Sequence, residues 1–217
     1  MAKIVLFGAS GMIGQRVLSE ALYRGHEVTA VVRDPAKVTE QNDNLIVHTG
    51  DVTDPATVTC LAEEADAVIA AVSQRGPGLD QTAAYREVGE GLIGGLRALD
   101  GSAPPLVFVG GAGSLEVAPG QRLVDQPGFP DAYKGEALAH AELLTWIRGV
   151  TDVKWSYASP AAAIAPGERT GRFRRGGNEL ISDAEGKSFI SAEDFAIALV
   201  DEAESGEHAG QRFTVGY

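Results

Sequence analysis

The stretch Gly8-Ala-Ser-Gly11-Met-Ile-Gly14 constrains this chain more than any other. It follows directly on a β-branched run, Lys3–Phe7, and opens a segment in which Met12, Ile13, Val17, Leu18, Ala21 and Leu22 recur at helical spacing. Glycines at every third position of a strand-to-helix junction leave bare backbone where a side chain would block an incoming group. The first permits the tight turn, the second the approach of a pyrophosphate, and the third close packing of helix on strand. The helix start adds free N–H groups and a partial positive charge. Gly25 stands where a helix end favours a left-handed residue, and Glu27–Val32 reads as the next strand. This βαβ unit predicts dinucleotide binding; a bare structural turn is the alternative.

The same alternation continues. Leu45–His48, Ala67–Ala71, Leu106–Val109, Lys154–Ala158 and Arg212–Val215 read as strands, with helices over Pro55–Glu64, Thr82–Leu99, Gly135–Arg148 and Ala192–Glu204, the last capped by Ser191. The expectation is one α/β domain over residues 1–217, a Rossmann-like doubly wound parallel sheet of about seven strands with helices on both faces, ordered 3-2-1-4-5-6-7. Gly and Pro concentrate after strands four, five and six. Ligands of such sheets bind at that edge, so the substrate-side loops are expected in 73–90, 110–133 and 160–190.

Charge narrows the partners. Lys and Arg number 18 against 30 Asp and Glu, a net charge of −12, which excludes a broad electrostatic footprint for nucleic acid or anionic lipid. An anionic ligand needs a local positive site. Cys60 is the only cysteine, so an internal disulfide and a cysteine-based zinc site are excluded and a reducing, cytoplasmic setting is expected. Apolar runs such as Ala67–Val72 fall far short of the roughly 18 to 20 residues that span a bilayer, so no membrane partner is expected. His26, His48 and His208 lack ligand spacing, and no metal site is expected. Trp146 and Trp155 read as core.

The second strand should end beside an adenosine ribose, and Arg33 stands there. An acid in that place would bond the 2′-hydroxyl of NAD, whereas an Arg suits the 2′-phosphate of NADP. Asp34 weakens the argument, although neighbours in a strand point to opposite sides; a solvated Arg–Asp pair, with NAD as cofactor, is the alternative. Asp51, followed by Val52, would either accept from the adenine amino group or cap the next turn or helix.

Together GASGMIG (8–14), VVRDPAKV (31–38), GDVTDPATV (50–58), VIAAVS (68–73), VGGAGSLEV (109–117) and FISAEDFAIAL (189–199) resemble atypical short-chain dehydrogenase/reductases. The group most resembled is the NAD(P)H-binding proteins similar to NADH-flavin reductases and biliverdin-IXβ/flavin reductases. The resemblance implies that Gly8, Ser10, Gly11, Met12 and Ile13, with Gly14 packing behind them, surround the pyrophosphate, and that Arg33 meets the 2′-phosphate. It places Asp51 and Val52 at adenine. Ala71, Val72, Ser73, Gly110 and Gly111 would lie under the ribose and nicotinamide, with Pro160 closing over the latter.

The parent superfamily reduces carbonyls with a Tyr and a Lys four positions on, which lowers the phenol pKa. No tyrosine here has that Lys, and in Tyr133-Lys134 the two are about 100° apart around a helix. Hydride transfer to a flavin, quinone or similar conjugated acceptor asks less, because the acceptor spreads the incoming charge. Ser114, Tyr133, Lys134 and His140 are the candidate catalytic groups; Glu136, one turn before His140, is expected to raise its pKa unless the two form an ordinary surface pair. Arg169, Arg172, Arg174 and Arg175 form a basic cluster that either docks an anionic flavin or substrate or contacts the acidic body or a second subunit. The reading is an NADPH-dependent oxidoreductase with a small-molecule acceptor, monomer or homodimer. A non-catalytic NADP sensor and an epimerase- or dehydratase-like enzyme are the alternatives.

Overall fold

A computed structural model describes residues 1–217. In chain order the elements are β1 (Lys3–Phe7), α1 (Met12–Tyr23), β2 (Glu27–Val32), β3 (Leu45–Thr49), α2 (Pro55–Ala62), β4 (Ala67–Ala70), α3 (Gln81–Arg97) and β5 (Leu106–Val109). Then follow β6 (Glu116–Ala118), β7 (Gln121–Arg122), α4 (Asp131–Ile147), β8 (Trp155–Ser159), β9 (Ala163–Ala165), β10 (Arg174–Gly176), β11 (Phe189–Ser191), α5 (Ala192–Ser205) and β12 (Gln211–Gly216).

The main sheet runs β10-β12-β8-β5-β4-β1-β2-β3. Its parallel part reproduces the expected order, and all five crossover helices form. The count differs by one: β10 adds an eighth, antiparallel strand on β12, with Arg174 opposite Gly216. That strand spans three residues of a Gly- and Arg-rich loop and carries no apolar alternation, so nothing periodic marks it. The pairs β6–β7 and β9–β11 are equally short. Helix α4 begins at Asp131 rather than at Gly135, because Pro130 in extended conformation sets its start and Gly135 is absorbed inside it.

Alternate strand residues feed two cores. Ile4, Leu6, Val28, Ala30 and Val107 face α1 and α5, meeting Val17, Leu18, Phe195 and Leu199. Val5, Phe7, Val31, Val68 and Phe108 face α2, α3 and α4, meeting Val58, Leu92, Leu96, Leu143 and Ile147. The strands are thus apolar on both sides, as a buried parallel sheet requires. Trp155 is core; Trp146 is half-buried, with the Arg86 guanidinium over its ring. No helix is long and apolar enough to cross a membrane.

Candidate functional site

The carboxyl ends of β1, β2 and β4 converge on the glycine turn. Gly8 donates its N–H to Val31 O at 3.1 Å, and Ala71 donates to Phe7 O at 2.9 Å. Gly8 has φ +83°, and a Cβ there would lie 2.4 Å from Ala71 O, so only glycine makes this turn. A Cβ on Gly14 would lie 2.0 Å from Gly8 O, which fixes the third glycine by helix packing. Gly11 differs. It has φ −78°, and the nearest protein atom to a Cβ built on it is 3.4 Å away, so the protein itself tolerates a side chain there. Gly11 is also the N-cap of α1, and no side chain caps that helix start. Uncapped N–H groups beside open space suit a phosphate.

A cleft of about 190 Å³ lies against this turn. Nine residues picked out from sequence line it: Gly8, Ser10, Gly11, Arg33, Asp51, Val52, Ala71, Val72 and Ser73. Sequence reading missed Gln74 and Gly50, along with Phe7, Val31 and Val32; the last two were signalled by their place just before Arg33. Arg33 is exposed and makes no hydrogen bond or ion pair with the protein, whereas Asp34 turns away to accept from Ala36 N at 3.2 Å. A solvated Arg33–Asp34 pair therefore does not form. Asp51 does not cap α2; Asp54 does. Asp51 Oδ1 instead closes a turn by accepting from Thr53 N at 2.9 Å and Thr53 Oγ1 at 2.8 Å, and its other oxygen has no protein partner.

Other expected contacts lie outside the walls of this cleft: the side chains of Met12 and Ile13, and Gly14, Gly110, Gly111 and Pro160. A Cβ on Gly110 would meet the Tyr157 ring at 1.9 Å, so packing alone accounts for that glycine. Pro160 is buried just past β8.

No side-chain hydrogen bond joins any of the four candidate catalytic groups to another. Ser114 Oγ accepts from Arg212 at 2.9 Å. Tyr133 and Lys134 are exposed in the first turn of α4 and make no side-chain hydrogen bond. His140 is buried, its ring 4.1 Å from that of Tyr85 and its Nδ1 3.1 Å from Tyr157 Oη. Burial pushes its pKa down to about 4, against an opposing pull from Glu136. The expected rise, and the role of His140 as a proton donor near neutrality, are thereby corrected: desolvation outweighs the carboxylate.

Glu136 has other partners. Its oxygens accept from Arg75 Nε at 3.1 Å and Nη2 at 2.8 Å, and from Tyr85 Oη at 2.9 Å. Burial would raise this carboxyl, but the bonds from Arg75 and Tyr85 more than offset it and hold it below the usual range. Tyr85 is driven upward, first by burial.

The basic cluster resolves largely onto the acidic body. Arg169 pairs with Glu20 at 2.7 Å, Arg175 pairs with Asp201, and Arg174 meets main-chain oxygens of Ser182 and Tyr217. Only the Arg172 side chain lacks a protein partner. A larger depression, about 670 Å³, lies beside Arg169, but its charges pair with one another, Arg16 with Glu193 and Arg169 with Glu20.

A doubly wound sheet with a glycine turn, an uncapped helix start and an unpaired Arg at the second strand's exit defines a Rossmann-like nucleotide-binding protein. The chain belongs to the NAD(P)H-binding family, whose model matches residues 8–205. It is similar to three solved structures over its whole length. One, from Burkholderia pseudomallei and provisionally described as an exported protein, is 46% identical, fully covered, with a TM-score of 0.86. Another, from Bacteroides thetaiotaomicron and provisionally described as an epimerase, is 41% identical, 97% covered, with a TM-score of 0.89. The third, from Streptococcus pneumoniae and provisionally described as an NADH-flavin reductase, is 32% identical, 99% covered, with a TM-score of 0.85.

Proposed function

We propose that the protein binds NADPH along the exits of β1, β2 and β4 and passes its hydride to a flavin, quinone or similar conjugated small molecule. The observation that carries the reading is Gly11, a glycine that no protein atom demands, beside an uncapped helix start. The unpaired Arg33 supports NADPH over NADH by offering a planar donor set to a 2′-phosphate. When bound, the reduced nicotinamide supplies the hydride. The chain's own task is to bind and orient two flat partners, and the accompanying proton comes from water, since His140 is neutral near pH 7. The resemblance of the pneumococcal relative supports a flavin-type acceptor.

Cytoplasmic residence belongs to the same reading and rests on the lone Cys60; the description of the Burkholderia relative points the other way. The lack of any hydrogen bond among Ser114, Tyr133, Lys134 and His140 favours a second reading, an NADP sensor without turnover. Mixing the protein with NADPH and a panel of flavins and quinones separates the two by absorbance at the nicotinamide band. Turnover supports the enzyme; tight binding without turnover supports the sensor; no binding of either nicotinamide nucleotide defeats both.

A further inference from the structure

Between Ala71 and Leu79 the chain leaves β4 with no regular structure, and its main chain makes no sheet bond after Ala71 N. Side chains from two helices hold it instead. Tyr85 Oη of α3 accepts from Gln74 N at 3.3 Å, and Gln81 Nε2 donates to Gln74 O at 3.1 Å. From α4, Glu136 takes the Arg75 guanidinium in a two-pronged bond and lies 3.5 Å from Ser73 Oγ. Tyr85, wholly buried, spends its proton on the same carboxylate. The helices are themselves set at close range here: a Cβ on Gly135 would lie 2.7 Å from Gln81 Oε1. Ser73 and Gln74 form one wall of the nucleotide cleft, so the carboxylate fixes that wall from behind.

We propose that Glu136 is a positioning residue: through Arg75 and Tyr85 it sets the Ser73–Arg75 segment that receives the nicotinamide half of the cofactor. This rests on the NADPH reading above. Glu136 itself touches neither cofactor nor acceptor. Its side chain is 16% exposed, so its bonds to Arg75 are shielded from water and ions more than those of a surface pair. Losing it frees the Arg75 end of the segment, leaves only the two bonds at Gln74 to hold the rest, and takes from the buried Tyr85 hydroxyl its acceptor.

The test compares two ligands by calorimetry: NADPH, and adenosine 2′,5′-bisphosphate, which fills only the adenosine half. Glu136→Ala is expected to weaken NADPH about tenfold and leave the bisphosphate within about twofold. Glu136→Gln, which keeps an oxygen for Tyr85 or Arg75, recovers part of the loss. Arg75→Ala, at a 67%-exposed side chain that does not endanger folding, shows the same selectivity at about threefold, and it decides the matter should Glu136→Ala fail to fold. NADPH affinity unchanged in the folded variants, or both ligands weakened equally, overturns the inference while the dinucleotide reading stands. Wild-type protein that binds neither ligand overturns both.

Discussion

Gly11 and Gly14 sit one helical turn apart in the same motif, and their surroundings assign them different duties. Gly14→Ala drives a methyl into Gly8 O and is expected to destabilise by about 3 kcal/mol. Gly11→Ala costs the fold no more than about 1 kcal/mol, yet weakens NADPH tenfold or more, about 1.4 kcal/mol or above. Urea melts and calorimetry on both variants check this; equal stability losses would show that Gly11 is structural too. At the ribose end, Arg33→Ala is expected to weaken NADPH by about 30-fold and NADH by less than about twofold. A parallel loss for both nucleotides rejects the phosphate role. His140 carries a prediction of a different kind. Its folded pKa, about 4, lies below the ordinary histidine value of 6.5, so the unfolded chain binds the extra proton between those values. Stability is full above pH 6.5 and drains as pH falls toward 4, by about 2 kcal/mol from pH 7 to 5. Denaturant unfolding should show a shallower decline in His140→Gln over that interval.

Among the elements, α5 depends on Ser191 more than an ordinary cap would. Its Oγ accepts from Asp194 N at 3.0 Å, donates to Glu168 O at 2.9 Å and lies 2.9 Å from the Tyr217 hydroxyl, which donates to Asp194 Oδ2 at 2.8 Å. Ser191→Ala is therefore placed at the upper end of cap losses, about 2 kcal/mol, and a urea-derived change under about 0.5 kcal/mol contradicts it. Ser191 also illustrates what was legible beforehand: a serine before an apolar helical pattern declares a cap by local chemistry alone. The sheet order was legible for a similar reason, since strand and helix periods alternate and right-handed crossovers leave few arrangements. β10 was not, because a three-residue antiparallel edge is specified by pairing with Thr214–Gly216 and not by its own pattern. Half of the site was equally plain. The glycine turn and Arg33 are local signals, whereas the Glu136–Arg75 and Glu136–Tyr85 bonds join residues 61 and 51 positions apart. The fate of His140 likewise hung on burial, which no spacing to Glu136 encodes.

At the scale of the whole molecule, one ion-pair network ties distant segments together. Glu20, almost fully buried, receives both Arg24 and Arg169, and Arg24 reaches on to Asp201 and Glu204 in α5. This network consumes cationic groups that a linear reading offers to ligands, and leaves the cleft relying on Arg33 and the start of α1. The surplus of acidic groups thus faces an incoming polyanion at long range, while attraction acts only at the last few ångströms. Diffusional encounter with NADPH should accordingly be slow in dilute buffer and quicken as salt rises toward 0.15 M, where the screening length shrinks to about 8 Å. Stopped-flow traces showing capture slowed by salt throughout that range would contradict this. Most proteins that capture nucleotides by charge behave in the opposite sense, so the ionic-strength slope becomes a kinetic fingerprint of where this chain keeps its few unspent positive groups.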